Sequence, residues 1–95
     1  MEYIDVTWRH NSPSDPVRLV SELGDDRYET RKLEFFRDGR VGYACEVGSA
    51  YDTVLGEVTV PLFELINRDP EFSGKRIDAE EFDRLWRTHV TEALP

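Results

Sequence analysis

The chain has little cysteine, and its single thiol, Cys45, excludes an internal disulfide. That fits a reducing compartment, and a lone cysteine inside a strand pattern is expected to be a small buried side chain. No apolar run approaches the ~20 residues needed to span a bilayer. The opening stretch MEYIDVTWRH reads as a strand and has neither a basic leader nor an apolar signal core, so a soluble cytoplasmic protein is expected. Nitrogen and sulfur ligands are scarce: His10, Cys45 and His89 fall one per element with no paired spacing, so neither a metal nor a cofactor is expected. No glycine-flanked serine marks a nucleophile elbow, and Gly39, Gly42 and Gly48 do not lead into a Lys-Ser/Thr helix start that would cradle phosphate. Positive charge is also short. Residues 1–40 hold nine acids and seven bases, whereas residues 41–95 hold eleven acids and five bases, giving −2 and −6 of the total −8. A nucleic-acid duplex or an anionic membrane would be repelled by most of such a surface, while a basic protein would be attracted.

What is present is a folded single domain, residues 1–95, with 39% hydrophobic and 12% aromatic residues. Glu2 to Arg9 alternates, with Ile4, Val6 and Trp8 on one face and Tyr3, Asp5, Thr7 and Arg9 on the other. His10 to Pro16 is turn chemistry, and His10 is expected to be exposed there. Val17 to Leu23, Arg27 to Phe36 and Val41 to Glu46 read as the next three strands, followed by a loop over 48–52 and a fifth strand over 54–60. Pro61 suits the first turn of a short helix carrying Leu62, Phe63, Leu65 and Ile66, which 67–70 ends. Asp78 with Glu81 three residues on resembles a capping box. Phe82, Leu85, Trp86, His89, Val90 and Ala93 then form one helical stripe, on which His89 is a core or boundary residue. Strands followed by helices predict an α+β domain: an antiparallel sheet of four to five strands, with the C-terminal amphipathic helix on one face, held largely by Phe82 and Trp86.

The stretch FFRDGRVGYA (35–44) predicts a hairpin. A two-residue Asp38-Gly39 loop would leave both faces half-apolar and set Arg37 against Arg40. A three-residue loop, Arg37-Asp38-Gly39 with Gly39 left-handed, pairs Phe35 with Val41, Leu33 with Tyr43 and Arg31 with Cys45, and sorts the hairpin into one apolar and one polar face. That register leaves Phe36 alone on the polar side opposite Arg40, either as a cation–π pair or as a partner contact. Glu29 and Arg31 fall on the face of Leu33 and Phe35 in unbroken alternation, so an ion pair at the sheet margin is expected there. Arg27, Arg31, Lys32, Arg37 and Arg40 interleave with Tyr28, Phe36 and Tyr43 as in single-strand binders, but Glu29, Glu34 and Asp38 cancel most of that charge.

With WRH at 8–10, SDPVRLVSEL at 14–23, DDRYETRKLEFFRDGRVGYA at 25–44, LGE at 55–57 and INRDPEF at 66–72, the chain resembles a family of small acidic bacterial proteins known only as a domain of unknown function. The similarity runs from about Tyr3 to Trp86 and brings no catalytic residues with it. Small acidic single-domain families of this kind resemble immunity proteins, which bind and block a toxin. The expectation is therefore a non-catalytic, immunity-type or antitoxin-like inhibitor of a basic partner such as a nuclease toxin. Its contacts would be Glu64, Asp69, Glu71, Glu80 and Asp83 around the helices, with Phe36 and Arg40 as an anchor. The alternative is a small metal-independent enzyme or ligand-binding domain in which His10, Glu29 and Arg31 converge. Self-association through a sheet edge or an open sheet face is a third reading.

Overall fold

The structure, a computed structural model, describes residues 1–51 and 53–90. The elements in chain order are β1 (Glu2–Trp8), β2 (Arg18–Leu23), β3 (Glu29–Phe35), β4 (Val41–Cys45), β5 (Gly48–Ala50), α1 (Phe63–Arg68), β6 (Phe72–Ile77) and α2 (Ala79–His89). The fold is α+β, and among the described residues its antiparallel sheet has six strands in the order β5-β4-β3-β2-β1-β6. Five strands run as a meander. The chain then crosses one face of the sheet, forms α1, and returns as β6 beside β1. No helix among the described residues is long and apolar enough to cross a membrane.

The expected hairpin register is the one found. Phe35 pairs with Val41, Leu33 with Tyr43 and Arg31 with Cys45, with Gly39 at φ 95°. Phe36 N–H donates to the Arg40 carbonyl at 2.9 Å, closing the three-residue loop. Alternation along the strands gives the sheet two unlike faces. On the first, Val20, Leu33 and Tyr43 bury Phe82 of α2, with Tyr3, Leu85 and Trp86 packed around them. Phe82 is fully buried and stacks on Trp86; burying a ring of this size contributes about 2–3 kcal/mol. Asp78 caps α2 by accepting the Glu81 N–H at 2.8 Å, but the Glu81 carboxylate turns to Arg84 and not back to the cap, so only half of the expected box forms. On the second face, Ile4, Val6 and Leu23 meet Val60, Phe72 and, from α1, Phe63 and Ile66.

Three expectations are corrected, and one strand, β6, was not foreseen. Residues 48–50 form a short edge strand, not a loop; Asp52, like Ala93 of the helical stripe, lies outside the described residues. The segment 54–60 is not a strand, because it is the crossover and spans the sheet instead of joining it. Its backbone is held mainly by side chains, with Gly56 N–H donating to Glu29 at 2.6 Å and the Val60 carbonyl accepting from Arg27 Nε at 2.9 Å, while the Val60 N–H donates to the Arg27 main-chain carbonyl at 2.9 Å. Valine's strand preference yields to that tertiary demand, and Val54 and Val58 are 67% and 75% exposed. Pro61 precedes α1, whose N-cap is Leu62. The unforeseen β6 is an edge strand whose two apolar residues, Phe72 and Ile77, face opposite sides of the sheet, so no alternation shows. Its outer edge is partly covered: the Asn67 amide of α1 accepts from the Gly74 N–H at 2.6 Å and donates to the Gly74 carbonyl at 3.1 Å.

The hairpin's polar face is roofed by the crossover. Thr53 is buried and donates its hydroxyl to Glu34 at 2.8 Å. A Cβ on Gly42 would lie 2.1 Å from Thr53 Oγ1 and 3.0 Å from the Ala50 carbonyl. Gly42→Ala is therefore expected to destabilise the fold by about 1–3 kcal/mol in urea denaturation. Thr53→Ala, by removing the hydroxyl, should restore part of that loss in the double variant; a Gly42→Ala protein as stable as the parent would contradict the close approach.

Candidate functional site

The structure separates the three residues of the alternative reading. The irregularity between β2 and β3 lies at Thr30: Glu22 pairs with Arg31, but Leu23 pairs with Glu29. One extra residue in β3 flips the alternation, so Glu29 and Arg31 point to opposite faces, contrary to the expectation from the sequence. On the α2 face the Arg31 guanidinium forks to Glu22 at 2.9 and 2.7 Å and reaches Asp83 at 2.9 Å. It also lies over the rings of Phe82 and Trp86 at 4.7 and 5.2 Å. The hydrogen bond from Arg31 holds the Glu22 carboxyl below its usual range against the opposing effect of burial, with Thr30 adding to it. Arg31 is raised in turn, first by its bond to Glu22. Burial first, and then the Glu22 carboxylate, pushes the neighbouring Tyr3 hydroxyl up.

Glu29 faces the crossover. It accepts from Lys32 Nζ at 3.2 Å, from Gly56 N–H, and from the Ser21 hydroxyl at 3.4 Å. His10 is half-buried, not exposed. It packs on Trp8 with centroids 4.3 Å apart, its Nδ1 accepts from Ser12 N–H at 3.1 Å, and its Nε2 donates to the Pro16 carbonyl at 2.7 Å. These bonds give the ring a loop-bracing role. Cys45 is half-buried where burial was expected. No buried side-chain nitrogen or oxygen among the described residues lacks a hydrogen-bond partner. These polar side chains are therefore spent on holding the fold.

The acidic contacts expected from the sequence do not form one patch. Glu80 and Asp83 belong to α2, and Asp83 is tied to Arg31. Glu64, Asp69 and Glu71 lie on the opposite, crossover side. There Glu64 is bridged by Arg76 at 3.4 Å, and Arg76 also reaches Glu2 at 3.1 Å. Burial alone would raise the Glu2 carboxyl, but the hydrogen bonds from Arg27 and Arg76 outweigh it and hold the group low. Asp69 accepts the Glu71 N–H at 2.9 Å, and Glu71 accepts from the Trp8 indole at 3.3 Å; neither meets a cation among the described residues. Phe36 and Arg40 form a cation–π pair at 4.8 Å, with the Tyr51 ring also near the guanidinium at 5.8 Å and Asp38 bonded to it at 2.8 Å.

The feature that the sequence reading missed is on this crossover side. A groove of about 270 Å³ runs between β1, β2, α1 and the crossover, walled by Ile4, Leu19, Val60, Leu65, Ile66 and Phe72. Beside it Leu62 and Leu65 are about half exposed. The signal was available. Residues 54–66 hold eight aliphatic or aromatic residues, more than one strand face and one short helix can bury.

The chain belongs to the family described as Domain of unknown function (DUF6881), whose model matches residues 2–91. Neither a curated protein nor a solved structure matches it.

Two expected outcomes follow from the α2 face. Removing the guanidinium with Arg31→Met strands the buried Glu22 carboxylate and should cost about 3 kcal/mol at pH 7. Because Arg31 holds Glu22 low, that contribution is present above the ordinary carboxyl value of 4.5 and is lost as pH falls from there through the lowered value in the folded protein. The deficit of the variant should therefore shrink in acid, and an equal deficit at pH 7 and pH 4 would contradict the pairing. His89 lies edge-on to Phe35 at 5.0 Å, and burial first, then the Arg18 charge, holds its pKa below 6.5. The unfolded chain thus takes up this proton first, and stability should decline as pH drops below 6.5. His89→Gln should flatten that slope between about pH 6.5 and 5, above the range in which the low-lying carboxylates act.

Proposed function

We propose that the protein is a non-catalytic binding domain, an immunity-type or antitoxin-like inhibitor whose target is a basic bacterial protein such as a nuclease toxin, and that it acts in the cytoplasm. The observation that carries this reading is the composition of the crossover side. Exposed Val54, Val58, Leu62 and Leu65 lie along one continuous segment, next to Glu57, Asp69 and Glu71, which have no cationic partner among the described residues. Elsewhere the arginines are largely engaged: Arg18, Arg27, Arg31, Arg40, Arg76 and Arg84 each pair with a carboxylate. A chain carrying −8 attracts a cationic partner over long range, and apolar groups with adjacent open carboxylates supply contact and register. Self-association is disfavoured by the same charge. Glu80 and Asp83, on the α2 side, are left outside the contact.

The test uses the tagged protein as bait in its native lysate at low salt, eluted by a salt gradient. A basic protein should be retained by the parent and by Glu80→Lys, and lost by Asp69→Lys/Glu71→Lys. Equal retention by all three proteins, or no basic protein retained by the parent, would reject this reading.

A further inference from the structure

Resting on the binding role above, we propose that the groove between β1, β2, α1 and the crossover seats one large apolar side chain of the partner, and that a lysine or arginine adjacent to that side chain lies on Asp69. The walls are apolar: Ile4, Val6 and Leu19 from the sheet, Val60 from the crossover, and Leu65 and Ile66 from α1. A space of about 270 Å³ suits a single bulky side chain; pockets for drug-sized ligands run from ~300 to 1,000 Å³.

The polar groups at its rim identify the neighbour of that side chain. Ser21, Glu29 and Asp69 line the groove, and no cation does. Glu29 is already satisfied by Lys32, Gly56 N–H and Ser21. Asp69 is not: it is exposed, its Oδ1 takes only the Glu71 N–H, and no described residue donates to its Oδ2. The groove thus ends on one open carboxylate, which rewards a cation and repels a fatty acid or an acidic peptide. A second copy of this chain is a poor occupant, since it brings another −8 with it. An apolar anchor beside a cation is the chemistry of a hot-spot contact on a basic protein.

The probes are three short peptides: acetyl-Ala-Lys-Trp-Lys-Ala-amide, its counterpart with glutamate for lysine, and its counterpart with alanine for tryptophan. Each is titrated into the ¹⁵N-labelled protein. The basic tryptophan peptide should shift the amides of Leu19, Val60, Leu65 and Ile66, and the other two should bind weakly or not at all. Asp69→Asn keeps the acceptor for Glu71 and removes the charge; it should weaken the basic peptide about threefold. Leu65→Ala removes part of an already exposed wall and should weaken it about fivefold. Equal binding of basic and acidic peptides, shifts confined to other surfaces, or groove shifts that follow protein concentration without peptide would each overturn the proposal, the last by assigning the groove to a second copy. The two levels separate cleanly. If a lysate partner is lost by Asp69→Lys/Glu71→Lys but kept by Leu65→Ala, the binding role stands and the groove assignment falls. If the peptide fills the groove and no basic protein is retained from the lysate, the groove assignment stands and the binding role falls.

Discussion

The Arg31 guanidinium is the joint between the sheet and α2. It emerges from β3, takes both oxygens of the buried Glu22, reaches across to Asp83, and lies flat against Phe82 and Trp86. One planar cation thereby satisfies two carboxylates and covers the aromatic contact of the helix. A lysine could not do this, because its point charge offers no fork and no face to stack. Within the sheet a similar fork joins neighbouring strands, with Arg18 bonded to the buried Asp5 at 2.9 and 2.7 Å and lying over Phe35 at 4.5 Å. The helix is short, and the Arg31 clamp on Asp83, Phe82 and Trp86 adds to the limited apolar area that eleven residues can bury.

The bulge at Thr30 lets one strand serve two environments. Arg31, Leu33 and Phe35 face α2, and without the extra residue Glu29 would join them. Thr30 Oγ1 settles the irregularity by bonding both the Glu22 carbonyl and its carboxylate, at 3.2 and 2.7 Å. Glu29 is thereby delivered to the opposite face, where it holds the crossover through Gly56. The two sides then differ in finish. The α2 side is closed by a helix tied to the sheet through Arg31. The crossover side is closed by an irregular segment held through hydrogen bonds, with an apolar groove beside it.

Those differences explain what could be read from the chain. The hairpin register was legible because only one pairing separates Leu33, Phe35, Val41 and Tyr43 from Lys32 and Glu34. α2 was legible because Asp78 and the stripe through Phe82 and Trp86 agree. The side to which Glu29 points was not, since a single-residue bulge leaves alternation intact on either side of itself and is fixed by a tertiary contact. β6 was not legible, because an edge strand needs few apolar residues and this one divides its two between opposite faces. The crossover was misread as a strand because valine and threonine promise extension without saying what they pair with. The groove lies where these misreadings meet, which is why Asp69 was foreseen as a contact but not the cavity it borders.

The clasp of Asn67 on Gly74 bears on how this small sheet coexists with other chains. A side-chain amide presents the same donor and acceptor as a peptide unit, so at Gly74 the β6 edge already has its next neighbour, supplied from α1 at no cost in sequence length. Phe72 N–H is likewise taken by the Asp69 carbonyl at 3.0 Å. An incoming strand would have to dislodge the end of a helix before finding a free hydrogen-bonding position along most of that border. The β6 border is thus biased toward meeting neighbours through side chains, where recognition is selective, and away from backbone templating, where any extended polypeptide would serve.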